Sequence, residues 1–415
     1  MTILRISVCV LVFLIGNSVL ALTNGFNSPA VGWNPYYYWF SVNNATLITN
    51  GSRFVHTNGV QDTWASVGAD FYINIGAHWS DKTTNSLGAP NPDATKFPDG
   101  IGPLVTYIHS LGLKAGIACQ GEKIGSDTEY DEGIAGYWTN SVNQFAAWGI
   151  DYINFDFCNG VTVNGHTYTA QEQAAVMAGA VLQASRPMRL EIVTIVSSVP
   201  GAWTPGVANS ARVSLDTDAT FANVLSRADA YNTYVGITTN GYWNDADDLQ
   251  IAVLNPQLTA TQDITQYGLW IVQGGPLMWS NSMTNMSAGT LALALNTELA
   301  AIHQDKVYRP GTRISRIIGT GGNMDGYAKP ITNGMAVALV NGTAVSTNIT
   351  VNWDDVGLKD KPAQIRDVVN HAYVGFSSSS YTASLPSGGI AVLTLVTNFS
   401  SMTVGTFNAG TVNIR

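Results

Sequence analysis

The stretch Asp151–Gly160, DYINFDFCNG, decides how the rest of the chain is read. Ile153, Phe155 and Phe157 fall on one side of a period-two pattern, and Tyr152, Asn154, Asp156 and Cys158 fall on the other. This is a buried strand with an apolar back and a polar front. Asp156 stands at its end, just before an Asn-Gly turn. The C-terminal ends of parallel strands are where an α/β barrel keeps its catalytic groups. A carboxylate that merely caps a loop is the other reading, and the flanking sequence separates the two.

Outward from Asp156 the same unit recurs. Upstream, DFYINIGAHW (Asp70–Trp79) is a strand ending at Gly76-Ala77. FPDGIGPLVTYIHSLGLKAGIACQ predicts a helix from about Ile101 to Ser110, a glycine-bearing turn and a strand from Lys114 to Ala118. A helix near Glu132 to Trp148 leads into the Asp156 strand. Downstream come a helix near Ala170 to Ser185, the strand Leu190 to Ile195, the extended ARVSLDTD (Ala211–Asp218), a polar stretch of weak helical pattern and GYWNDADDLQIA (Gly241–Ala252). Helix Thr259 to Val272, strand Pro276 to Met278 and helix Leu291 to His303 follow. The N-terminal AVGWNPYYYWF (Ala30–Phe40) adds a short strand and an aromatic loop. Short apolar strands alternating with amphipathic helices predict a closed parallel (β/α)₈ TIM barrel over residues 22–312. Past Thr312 helical periodicity fades, and runs such as MAVALVN and IAVLTLV between Gly, Asn and Ser turns predict an antiparallel β-sandwich over 313–397, then a polar tail, 398–415.

The 415 residues are only 11% charged and 46% hydrophobic, with a formal net charge of −9. Nucleic-acid and anionic-membrane partners need clustered Lys and Arg, which are lacking, so a neutral or cationic ligand is favoured. Residues 1–21 place Arg5 before an apolar run that ends in Val19-Leu20-Ala21, the pattern of a secretory signal. That run is shorter than the ~20 residues of a membrane-spanning helix. Sequons at Asn44, Asn50, Asn285, Asn341, Asn348 and Asn398 fit a secreted glycoprotein. Of three cysteines, Cys119 and Cys158 remain after the signal, at the ends of predicted neighbouring strands. An oxidising compartment would pair them; two buried free thiols are the alternative.

Three acidic clusters recur at predicted strand ends: Asp156, Asp216 with Asp218, and Asp245 with Asp247 and Asp248. A retaining glycosidase needs two carboxyls about 5 to 5.5 Å apart, one as nucleophile and one as acid. A metal centre is the rival chemistry, but the six His show no HxH or HExxH spacing, and neither a metal nor another cofactor is expected. No GxSxG, GxGxxG or GxxxxGK motif is present.

With these residues in view, the chain resembles the α-galactosidase (melibiase) family of glycoside hydrolases, family 27. The matching stretches are GWN at Gly32, FPDGIGPLVTYIHSLGLKAGI, AAWGIDYINFDFC, GYWNDADDLQI, GLWIVQGGPLMWSN with NTELAAIHQD, and Tyr327-Ala-Lys-Pro330. The resemblance implies Asp156 as nucleophile, with Cys158 in its motif. It implies Asp216 as acid/base, four residues after the sugar-holding Arg212, with Asp218 as the rival acid. Trp243 and Asp247 match the family's WNDPDM turn, where Asp248 replaces Met. Four further residues depart from it. Gly76-Ala77 stands where the family has a pair of Asp on the sugar's hydroxyls at carbons 4 and 6; Asn154 replaces a Lys, and Ala118 an aromatic residue.

The expectation is a secreted retaining glycosidase for α-linked sugars of an oligosaccharide or polysaccharide, monomeric or homodimeric, with an altered sugar clamp. Substrate contacts are expected from Trp33, Tyr36, Asn154, Arg212, Trp243, Asp247 and Asp248, and desolvation beside Asp156 is expected to keep Asp216 protonated. A carbohydrate-binding protein that has lost turnover is the second expectation, and a structural cell-surface glycoprotein the third.

Overall fold

The structure, a computed structural model, describes residues 22–39, 42–125, 131–157, 160–194, 203–253 and 257–397. The expected signal, Cys158, Asn398 and the tail 398–415 lie outside these residues. Eight parallel strands follow one another around a single sheet: β1 (Val31–Trp33), β2 (Phe71–Ile75), β3 (Lys114–Gln120), β4 (Tyr152–Phe157), β5 (Arg189–Thr194), β6 (Ser210–Arg212), β7 (Trp243–Asp245) and β8 (Leu277–Trp279). β1 pairs with β8, and Leu249, just beyond β7, closes the ring by donating its N–H to Met278 O (2.7 Å) and accepting from Ser280 N (3.1 Å). The fold is a TIM barrel followed by a C-terminal β-sandwich.

The apolar back of β4 does what its pattern predicts. Ile153 and Phe155 are fully buried in the core shared with the helices, whereas Tyr152 turns inward to meet Tyr72. The barrel helices are α1 (Ala45–Thr57), α2 (Ile101–Ser110), α3 (Trp138–Trp148), α4 (Ala170–Gln183), α5 (Phe221–Tyr234), α6 (Ala260–Gln273), α7 (Ala288–Ala294) and α8 (Thr297–His303). Side-chain oxygens start several of them: Thr169 and Glu172 form a capping box on α4, and Thr259 and Gln262 form one on α6.

Three expectations are corrected. The helix drawn from Glu132 begins at Trp138, because residues before it run back along the tip of β3. The weakly patterned stretch after Asp218 is helix α5. The single helix over 291–303 is two, since the Asn296 side chain accepts from Glu298 N and Leu299 N (both 3.0 Å) and starts a new one.

The sandwich strands are β9 (Thr312–Gly319), β10 (Gly322–Ile331), β11 (Gly334–Asn341), β12 (Thr347–Asn352), β13 (Ala363–Asp367), β14 (Ala372–Ser377), β15 (Ser380–Leu385) and β16 (Ile390–Val396). Six form one sheet in the order β9-β10-β11-β16-β13-β14, and β12 with β15 forms the facing pair. Leu339, Ile349, Val351, Ile365 and Leu393 fill the space between. Helix α6 is buried almost all round because the sandwich covers its outer face, and Thr265 Oγ1 donates to Gly388 O (2.6 Å). One sequon is also corrected: Asn341 is fully buried, with Nδ2 donating to Val345 O, Leu385 O and Pro386 O, so it has no room for a glycan in the folded chain.

Candidate active site

A cavity of about 600 Å³, mouth included, opens at the C-terminal ends of the barrel strands. From β1 and its loop come Asn34, Tyr36 and Tyr37; from β2, Ala77; from β3 and its loop, Ala118, Cys119, Gln120 and Glu132; from β4, Asn154 and Asp156. Glu191, Val193, Arg212, Asp216, Asp245, Asp247 and Asp248 complete the wall. Parallel strands end together here, so residues far apart in sequence converge.

Arg212 organises one side. Its guanidinium is nearly buried, with Nη2 2.7 Å from Asp216 Oδ1 and Nη1 3.5 Å from Asp247 Oδ2. Burial alone would weaken its charge, but Asp247, Tyr37, Asp216 and Asp156 outweigh that and hold it firmly cationic. Asp247 sits in the left-handed region at φ +77°. Its Oδ2 accepts from Tyr37 Oη (2.7 Å) and Thr217 N (2.8 Å), and its Oδ1 from Asp248 N (2.8 Å). Burial, then the Asp247 charge, raises the Tyr37 phenol, which stays neutral as a donor.

The floor is a network of buried acids. Glu191 accepts from Tyr152 Oη, from Asn154 Nδ2 (3.3 Å) and from Ser210 Oγ (3.4 Å), and pairs with Asp245. Burial and then the Glu191 charge push Asp245 well above the usual carboxylate range, and burial raises Glu191 as well. Asp248 is raised by burial and then by Asp247, and accepts from Asn34 Nδ2 (2.9 Å).

Of the residues singled out in the sequence, Asp156, Asp216, Tyr36, Asn154, Arg212, Asp247 and Asp248 face this cavity together. Others do not. Trp33 points away from it toward α1, where Gly51 makes room: a Cβ there would lie 2.3 Å from the indole ring. Trp243 lies buried two residues below Asp245 on the same face of β7 and stops short of the cavity. Asp218 turns outward and accepts from Thr220 N (3.0 Å) ahead of α5, which removes it as the rival acid. Strand β6 ends at Arg212, so Asp216 meets Arg212 through a loop and not through strand parity. The Asp216 side chain is 44% exposed, so the expected desolvation is absent. Cys119 is a buried free thiol, raised by burial; its expected partner Cys158 lies outside the described residues.

Sequence reading left Tyr37 unassigned within its aromatic loop and missed Glu132 and Glu191. Only Glu191 left a local signal, as an acid inside the apolar run LEIV.

A parallel barrel with clustered carboxyls and one guanidinium at its C-terminal mouth is the arrangement of a glycoside hydrolase. The alpha galactosidase A family matches residues 52–305, and the alpha galactosidase C-terminal β-sandwich domain matches residues 321–395. The chain belongs to the α-galactosidase family of glycoside hydrolases, family 27, as a divergent member, and is an enzyme of that class that acts on carbohydrate. It is 30% identical to the alpha-galactosidase of Coffea arabica over 81% of this chain and 85% of that one. The alpha-galactosidase structure from Saccharomyces cerevisiae superposes with a TM-score of 0.80 at 19% identity, over 89% of this chain and 98% of that one. A β-L-arabinopyranosidase structure from Geobacillus stearothermophilus gives a TM-score of 0.77 at 18% identity, over 93% and 98%.

Proposed function

We propose that the protein is a secreted retaining glycosidase for α-linked sugars, working by double displacement. The observation that carries this reading is that Asp156 and Asp216 face one cavity with Arg212, which is bonded to Asp216 and within electrostatic reach of Asp156. Asp156 attacks the anomeric carbon as the glycosidic bond breaks, and Asp216 gives its proton to the leaving oxygen. Water, deprotonated by Asp216, then releases the sugar from Asp156. A sugar seated over Arg212 supplies the desolvation that Asp216 lacks in the free enzyme, beside the charge of Asp156.

For the sugar itself, relatives named alpha-galactosidases point to an α-galactoside. The neighbouring arabinopyranosidase keeps an L-arabinopyranoside in contention, a glycone of similar ring stereochemistry that lacks the exocyclic hydroxymethyl. Asp156→Asn is expected to lower kcat on the best aryl glycoside by about four orders of magnitude or more. A slow fluorinated glycoside is expected to leave a glycosyl adduct on the Asp156 peptide by mass spectrometry. Full activity of the Asn variant, or an adduct elsewhere, contradicts the mechanism.

A non-hydrolytic carbohydrate-binding protein is the second reading, favoured by Gly76-Ala77 and Asn154 at positions of the family's clamp. Sugar binding without hydrolysis across a panel of α-glycosides would select it. Secretion is supported by the N-terminal pattern and by the exposure of sequons Asn50, Asn285 and Asn348. Expression in a secreting host should yield extracellular protein whose first residue is Leu22; retention in the cell with residues 1–21 attached contradicts it.

A further inference from the structure

Gly76-Ala77 and Ala118 bring no polar side chain to the β2–β3 side of the cavity, and Glu132 enters that side next to Gln120. Its carboxyl is buried and lines the cavity beside Ala77, Ala118 and Gln120. Oε2 accepts from the backbone N–H groups of His78 (3.0 Å) and Asp131 (3.2 Å). Oε1 has no hydrogen-bond partner among the described residues. A buried carboxyl oxygen left without a partner is unfavourable unless a water or a ligand supplies the missing bond.

This placement is built into the chain. The segment carrying Glu132 runs parallel to the tip of β3, with Gln120 N donating to Glu132 O (3.2 Å) and Ile134 N donating to Gln120 O (3.0 Å). Gly133 permits that approach: a Cβ there would lie 2.6 Å from Lys123 C and 2.7 Å from Glu122 O. On the other flank, His78 sits at φ +64°, immediately after Gly76-Ala77, and its carbonyl accepts from Lys96 Nζ (2.7 Å). Asp131 reaches Lys82 Nζ at 2.8 Å. Glu132 and Asp131 thereby tie together the two loops that border the vacated clamp.

We propose that Glu132 is a specificity-determining residue of this enzyme, whose Oε1 hydrogen-bonds a hydroxyl of the sugar ring seated at Asp156. The proposal rests on the glycosidase reading for where the sugar sits. Burial, the largest influence, pushes Glu132 up to about 8, so near neutrality its carboxyl carries a proton and can donate as well as accept. A neutral acid also adds no second negative charge beside Asp156.

The test compares wild type, Glu132→Gln, Glu132→Ala and Asp156→Asn. Calorimetry with free D-galactose, D-glucose, N-acetyl-D-galactosamine and L-arabinose measures binding, and the matching aryl glycosides measure hydrolysis. Glu132→Ala is expected to weaken the best-bound monosaccharide and to lower kcat/KM about 10- to 100-fold, mainly through KM. Glu132→Gln is expected to restore most of both at pH 6, and to remove the weakening of sugar binding expected of wild type above pH 8. Unchanged binding in a folded Ala variant, a Gln variant as impaired as Ala, or no binding of any of the four sugars to wild type overturns the assignment. Failure of the glycosidase reading is separate: Asp156→Asn would then hydrolyse like wild type, while the binding arm still reports on Glu132.

Discussion

Among the described residues lining the cavity, Arg212 is the one guanidinium or amine, against seven carboxyls. Its planar fork reaches Asp216 with one nitrogen and Asp247 with the other, which one ammonium cannot reproduce. Arg212→Lys is therefore expected to lower kcat/KM by about two orders of magnitude while the thermal midpoint moves little. An unchanged kcat/KM would show that the fork takes no part in turnover. Asp156 was legible from the alternation of its strand, and Arg212, Asp216 and Asp247, which line the cavity with it, from the resemblance to the family's motifs. Tyr37 was not, since within the run YYYW nothing local says which ring meets Asp247. Glu132 depended on a loop folding back along β3, a contact between strands that no local spacing encodes.

Among the elements, long apolar periodicities were the most readable: helix α2 begins and ends where its pattern does, and β4 keeps the two faces its alternation implied. The errors arose where a local polar group overrode periodicity. Asn296 breaks a continuous apolar pattern because its Oδ1 satisfies the opening N–H groups of α8 while its Nδ2 donates to Val368 O of the sandwich (2.8 Å). The local signal, an Asn just ahead of Thr-Glu, was present, but its partner on the second domain was not visible from the same stretch. Helix α5 was obscured for the opposite reason. Only Val224, Ala228 and Tyr231 are buried on it, so its apolar stripe is too narrow to stand out. Strand β6 spans only three residues, which left the reach of Asp216 to an irregular loop.

At the scale of the molecule, barrel and sandwich meet around His303. Its Nε2–H donates to Gly275 O (2.7 Å), its Nδ1 accepts from Gln304 Nε2 (3.0 Å), and its own carbonyl accepts from the buried Lys329 Nζ (3.0 Å). Burial, then the Lys329 charge, pushes the imidazole down to about 3, against about 6.5 in an unfolded chain. Between those values the unfolded chain takes up a proton that the native one refuses. The contribution is therefore whole above pH 6.5 and is lost as pH falls toward 3. The denaturant midpoint of wild type is expected to fall from pH 6.5 to 4, and His303→Gln, which keeps a donor for Gly275, is expected to flatten that slope. Equal slopes would remove His303 as a cause. The barrel's closure also sets a timetable for biosynthesis. Strand β1 pairs with β8, and Trp33 Nε1 donates to a carbonyl 248 residues further on. At roughly 5–20 residues per second, a ribosome leaves that first strand waiting on the order of 12–50 s for its last neighbour. Asn34 Nδ2 can then donate to Asp248 Oδ2 only once residue 248 has been made, so this pocket is among the last parts of the barrel to be assembled.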